Sequence, residues 1–105
     1  MSQWVKLCSI ANAPAPGQVI EWTIEQNQKA VCLANVDGNF SALDNWCPHR
    51  QGPLGQGWIE GGNVLCPWHA WAFSLQTGVA EPPEKAQVAV YPLQIDGDDL
   101  LVQID

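Results

Sequence analysis

Two short motifs constrain this chain more than anything else in it: Cys47-Pro48-His49 and, after a spacer of sixteen residues, Cys66-Pro67-Trp68-His69. Together they hold two of the four cysteines and both histidines. Four soft or borderline ligands set as two tight pairs describe a site closed by metal, and such a site obliges the two loops to meet in space. Pro48 and Pro67 directly follow the cysteines and stiffen each loop, which lowers the entropy lost when it is ordered. With 105 residues the chain forms one domain, so both loops must come together on a single modest core.

The flanking sequence is β in pattern. Residues 18–25 alternate Ile20, Trp22 and Ile24 with Glu21, Thr23 and Glu25, the period of a strand with one wet face. Residues 29–36 are nearly all apolar and predict a buried strand, and Asp37-Gly38 supplies a two-residue hairpin turn into residues 40–43. Residues 88–95, a turn at Asp96-Gly97-Asp98, and residues 100–104 repeat the scheme, with Pro92 expected at an edge or bulge because it cannot donate to a ladder. Cys8 and Cys32 lie in strand-like runs away from the motifs and are expected in the core as small hydrophobes. No window sustains a 3.6-residue period, and eight prolines with nine glycines interrupt the chain too often for long helices.

These patterns predict an all-β domain over residues 1–105, an antiparallel sandwich or open barrel. Residues 45–80, approximately, form an inserted metal-binding subdomain. That insertion is rich in Gly, Pro and Trp, and Arg50 and Glu60 are its only charged residues. Its glycines at 52, 55, 57, 61 and 62 are expected to set turns rather than cradle phosphate, since no helix follows them. Trp46, Trp58, Trp68 and Trp71 are expected to pack the insertion.

A formal charge of −7 disfavours nucleic acid and anionic membranes as partners and suits a protein with a basic docking surface. The N-terminus has no basic region followed by an apolar run, and no apolar stretch approaches membrane-spanning length, so a cytoplasmic location is expected. In a reducing compartment the four cysteines are not expected to form two disulfides.

Two cysteines with two histidines can hold tetrahedral zinc, in which case the chain is a zinc-stabilised interaction module. The usual finger, however, groups its histidines on a helix after the cysteine pair, whereas each loop here offers one of each. A centre of two iron atoms calls for that mixed supply from both loops.

Cys47-Pro48-His49-Arg50 followed by Cys66-Pro67-Trp68-His69-Ala70-Trp71 resembles the Rieske iron–sulfur family, whose pattern is Cys-x-His, a spacer of about 15 to 17 residues, then Cys-x-x-His. The likeness extends through Gly52-Pro53-Leu54-Gly55-Gln56-Gly57 and the stretch from Phe73 to Gly78. The resemblance implies a Rieske fold around one [2Fe–2S] cluster. Cys47 and Cys66 would hold the inner iron, and His49 and His69 the outer one. High-potential members of that family carry an extra cysteine in each loop and two hydroxyl donors after the second histidine. The matching positions here are Gly52 and Trp68, and Trp71 and Phe73, so the resemblance implies a low potential, about −150 mV.

With both histidines spent, none is left for the mononuclear iron site of a terminal oxygenase, and no G-x-G-x-x-G follows a strand. The expectation is therefore an electron-transfer protein rather than an enzyme. In this reading it is a ferredoxin, monomeric as a free carrier, passing single electrons from a reductase to an oxygenase or similar acceptor. The alternative within the family is the small subunit of an assimilatory NAD(P)H nitrite reductase. An apolar collar of Pro48, Pro53, Pro67 and Trp68 is expected to meet partners, with steering from Glu81, Glu84 and the acidic turn at residues 96–99.

Overall fold

Strand β3 (Ala30–Val36) decides the layering. Successive residues of a strand face opposite sides, and both sides of this one are apolar because it separates two cores. Val31 and Leu33 join Leu7, Cys8, Ile24, Ala42, Leu100, Val102 and Ile104. Cys32 and Ala34 face the other way, toward Leu43, Cys47, Leu54, Val64, Cys66 and Phe73. Each fully buried Val or Leu contributes about 1.5–3 kcal/mol through apolar area removed from water.

The computed structural model describes residues 3–48, 51–68 and 70–104. Around β3 lie β1 (Gln3–Ser9), β2 (Val19–Thr23), β4 (Asn39–Asp44), β5 (Trp58–Glu60), β6 (Asn63–Leu65), β7 (Ala72–Ser74), β8 (Val90–Tyr91), β9 (Leu93–Asp96) and β10 (Asp99–Ile104). They form three antiparallel sheets, ordered β1-β10-β9, β2-β3-β4-β8 and β5-β6-β7. The first two sheets face each other across the core that holds Leu7, Val31 and Val102. The third lies in chain order between β4 and β8 and packs on the far side of β3. Among the described residues the only helical pieces are two 3₁₀ turns, Ile10–Asn12 and Leu54–Gln56. No helix there is long and apolar enough to cross a membrane.

Both expected hairpins form. Asp37 and Gly38 take φ of 54° and 91°, the two left-handed residues that a type I′ turn requires, and Asn35 Oδ1 accepts from Gly38 N–H at 2.7 Å. In the second hairpin Asp96 pairs with Asp99, and of the turn residues between them only Gly97, at φ 62°, is left-handed.

One detail departs from the sequence reading and two add to it. The single strand expected over residues 88–95 is two, because Pro92 breaks it: β8 pairs with β4 in one sheet and β9 with β10 in the other. Pro92 still serves the sheet as an acceptor, taking Gln103 N–H at 3.0 Å. The strand-like run around Cys8 finds its partner at the opposite end of the chain, Gln3 opposite Ile104, a pairing no local pattern signals. Finally, the face of β2 expected to be wet does carry exposed Glu21 and Thr23, and the 3₁₀ turn Leu54–Gln56 runs beside it, close enough that a Cβ on Gly55 would lie 2.8 Å from Glu21 Cα.

Candidate metal centre

Strand β4 runs straight into the first motif and the β6–β7 connection carries the second, and the two loops follow one plan. Cys47 N–H donates to Gly52 O at 2.8 Å, and Cys66 N–H donates to Trp71 O at 2.8 Å, in each case to the residue five positions on. One residue before each acceptor the backbone is left-handed, at Gln51 (φ 60°) and Ala70 (φ 55°). A non-glycine residue there is unfavourable by roughly 1–2 kcal/mol, so the surrounding contacts hold both loops in shape. Sequence reading missed this because a left-handed glutamine or alanine has no signature, as a glycine would.

The loops converge on the two cysteines. Cys47 and Cys66 are fully buried in the same core, and no disulfide joins any of the four cysteines. Gly52 connects them: its carbonyl closes the Cys47 loop, and a Cβ on it would fall 2.6 Å from Cys66 Sγ. Trp68 N–H donates to Cys66 Sγ at 3.4 Å. Two buried, unbridged cysteines in one core, both meeting Gly52, fit thiolate ligation of a soft metal centre. His49 and His69, the other two expected ligands, and Arg50 beside them lie outside the described residues.

The remaining cysteines are not part of that pair. Cys32 packs on the same core from β3, fully buried; burial pushes its thiol up to about 12, and the charge of Glu21, its register partner on β2, pushes the same way. Burial also raises Cys8, with Lys6 opposing. Both stay neutral at physiological pH and act as apolar packing, as expected.

The tryptophans divide. Trp71 is half-buried against the core, whereas Trp46, Trp58 and Trp68 are 43%, 43% and 47% exposed and so pack the insertion only in part. The expected collar also changes. Pro53 is buried, bridged to Trp46 in a short antiparallel contact, and leaves the surface to Pro48, Pro67, Trp46 and Trp68. Of the expected steering groups, Glu81 is tied into the insertion, accepting from Asn63 Nδ2 at 2.7 Å. The strand residues flanking the turn at 96–99, Ile95 and Leu100, line one pocket with Gly38 and Asn39, at the end of β4 away from Cys47.

A β base and an inserted small sheet that together present two matched cysteine loops, one after β4 and one between β6 and β7, define a metal-cluster domain. Comparison with known proteins gives the family. The profile of the Rieske [2Fe-2S] domain matches residues 3–92, and the chain belongs to that family, whose domain carries one [2Fe–2S] cluster. The chain is 35% identical over 101 residues to the biphenyl dioxygenase ferredoxin subunit of Pseudomonas sp. (strain KKS102), covering 94% of this chain and 90% of that one. Among solved structures, the ferredoxin of Sphingomonas yanoikuyae B1 superposes with a TM-score of 0.86 at 27% identity, covering 98% of this chain and all of the other. A protein described as an NADH-dependent nitrite reductase small subunit from Mycobacterium tuberculosis gives 0.87 at 20% identity, over 100% and 97% of the two chains, a likeness of fold alone. Family membership sets aside the zinc reading.

Proposed function

We propose that this protein is the ferredoxin of a multicomponent oxygenase system, an electron carrier rather than an enzyme, and that Cys47, Cys66, His49 and His69 hold its cluster. The observation that carries the ligand assignment is the matched pair of loops, with both cysteines fully buried in one core and Gly52 taking the Cys47 N–H while lying against the Cys66 thiol. Full-length likeness to a dioxygenase ferredoxin at 35% identity supports the free-carrier reading over the nitrite reductase subunit, for which there is likeness of fold only.

When bound, the cluster supplies one reversible electron. The chain does the rest. The buried Cys47 and Cys66 would hold the cluster away from water, while the two histidines would face the partner. Pro48, Trp46 and Trp68 offer an exposed, mostly apolar rim beside the loops, suited to brief docking on a reductase and then on an oxygenase. With no hydroxyl at Trp71 or Phe73, fewer donors reach the centre and the potential stays low, about −150 mV. The carrier works as a cytoplasmic monomer.

Electron paramagnetic resonance of the dithionite-reduced protein tests the assignment. A signal with average g below that of all-cysteine clusters is expected, and Cys47→Ser or His69→Cys should abolish or change it. A colourless, silent protein, or an unchanged signal in those variants, would overturn it. Stopped-flow reduction by a separate reductase and reoxidation by an oxygenase tests the carrier role; obligate copurification with a large sirohaem flavoprotein would favour the subunit reading instead.

A further inference from the structure

Between the base and the first cluster loop sits a closed polar network. Asn45, two residues before Cys47, is fully buried, and all four of its polar groups are satisfied. Its N–H donates to Ala30 O at 3.2 Å and its carbonyl accepts from Leu54 N–H at 2.7 Å. Its Oδ1 accepts from Gly55 N–H at 2.8 Å, and its Nδ2 donates to Glu21 Oε2 at 2.5 Å. The other carboxylate oxygen, Glu21 Oε1, accepts from Gln56 Nε2 at 2.8 Å.

These partners fix the chemistry. A backbone N–H can only donate and a carboxylate can only accept, so the Asn45 amide has one permitted orientation. Glu21 thus grips both limbs of the loop, the incoming one through Asn45 and the outgoing one through Gln56, and ties them to β2. The contact is close enough to require Gly55, where a Cβ would lie 2.4 Å from Glu21 Cγ. Although exposed, Glu21 stands opposite Cys32 in the β2–β3 register, and Cys32 packs in the same core as Cys47, so the Glu21 carboxylate lies one residue pair from that core.

We propose that Glu21 is a positioning residue for the cluster: its carboxylate clamps the Cys47 loop to the base, and its negative charge holds the reduction potential down. The inference rests on Cys47 being a ligand. Rigid outer support keeps the sulfur in one place in both oxidation states, and a fixed nearby anion disfavours the added electron.

The test compares cluster-loaded wild type with Glu21→Gln, Glu25→Gln, Asn45→Asp and the double variant Glu21→Gln/Asn45→Asp. The readouts are reduction midpoint and amide exchange at Leu54 and Gly55. Glu21→Gln is expected to move the midpoint positive and to speed exchange at Gly55 about tenfold or more. Glu25, exposed in the β2–β3 connection and outside the network, is the charge control and should change neither. Asn45→Asp sets two carboxylates against each other and should loosen the loop. The double variant reverses donor and acceptor, the introduced amide on β2 donating to the introduced carboxylate on the loop. It should restore slow exchange and return the midpoint to or below that of wild type.

If Glu21→Gln behaves like Glu25→Gln, or the double variant restores nothing, the proposal is overturned. Failure of the ligand assignment looks different: wild type and every variant would then lack the mixed-ligand signal, and the proposal would fall with it.

Discussion

A Cβ on Gly52 would stand 2.6 Å from Cys66 Sγ and 3.3 Å from the Trp68 ring. No side chain fits there unless the sulfur or the indole moves. Gly52→Ala is therefore expected to displace Cys66, costing about 1–3 kcal/mol by overpacking and lowering iron content per chain. Iron analysis with thermal melts checks it; full loading at unchanged stability would show that the loops yield more easily than their hydrogen bonds imply.

Gly57 and Gly62 make a matched pair of opposite outcomes. A Cβ on Gly57 would lie 1.8 Å from Leu65 O, backbone that is paired with Trp58 and has nowhere to go, whereas one on Gly62 meets nothing within 4 Å. Gly57→Ala is expected to cost about 3 kcal/mol or more, and Gly62→Ala less than about 0.5 kcal/mol. Denaturation curves of the two variants distinguish these directly.

The Cys32 thiol makes stability depend on alkaline pH. Below about pH 8 neither state ionises there. Above the ordinary thiol value of 9.0 the unfolded chain loses the proton, while the folded protein keeps it up to about 12. The native state then binds more protons, so stability falls as pH rises through that window, by up to about 1.4 kcal/mol per unit. Between pH 8 and 10 wild type should lose about 1.4 kcal/mol more than Cys32→Ala in urea titrations under reducing conditions. An equal loss in both would mean that water or a rearranged core relieves the buried charge.

Docking should depend on tryptophan more than on the acidic turn. The length of β4, five residue steps or about 17 Å, separates the Asp96–Asp99 turn region from the Cys47 loop, and the Debye length at physiological salt is only about 8 Å. Neutralising Asp96 and Asp98 to Asn should change the rate of electron transfer to an oxygenase less than about twofold. Trp46→Ala, on the rim, should weaken docking by about 2 kcal/mol, roughly thirtyfold. The reverse order would restore the acidic turn as a steering element.

Local signals are legible in the sequence. Strands β3 and β4 and their Asp37-Gly38 turn can be read there because a two-residue period and a left-handed pair act over a few residues. Cys47 and Cys66 can be read for the same reason, since metal ligation needs particular side chains at short spacing. The chain alone thus determined the β class, the hairpins and the cluster-binding candidates.

Only the tertiary structure decided what depends on residues far apart in sequence. It paired β1 with β10, split residues 88–95 between two sheets at Pro92, and buried Pro53 while leaving Trp46 exposed. It also turned Glu21, one polar residue in an alternating strand, into the tie on the loop of Cys47. A carboxylate on a strand face is solvated by default, and what crosses that face is set by packing thirty-five residues further along the chain. Periodicity records which side a residue faces; only the assembled cores record what it meets there.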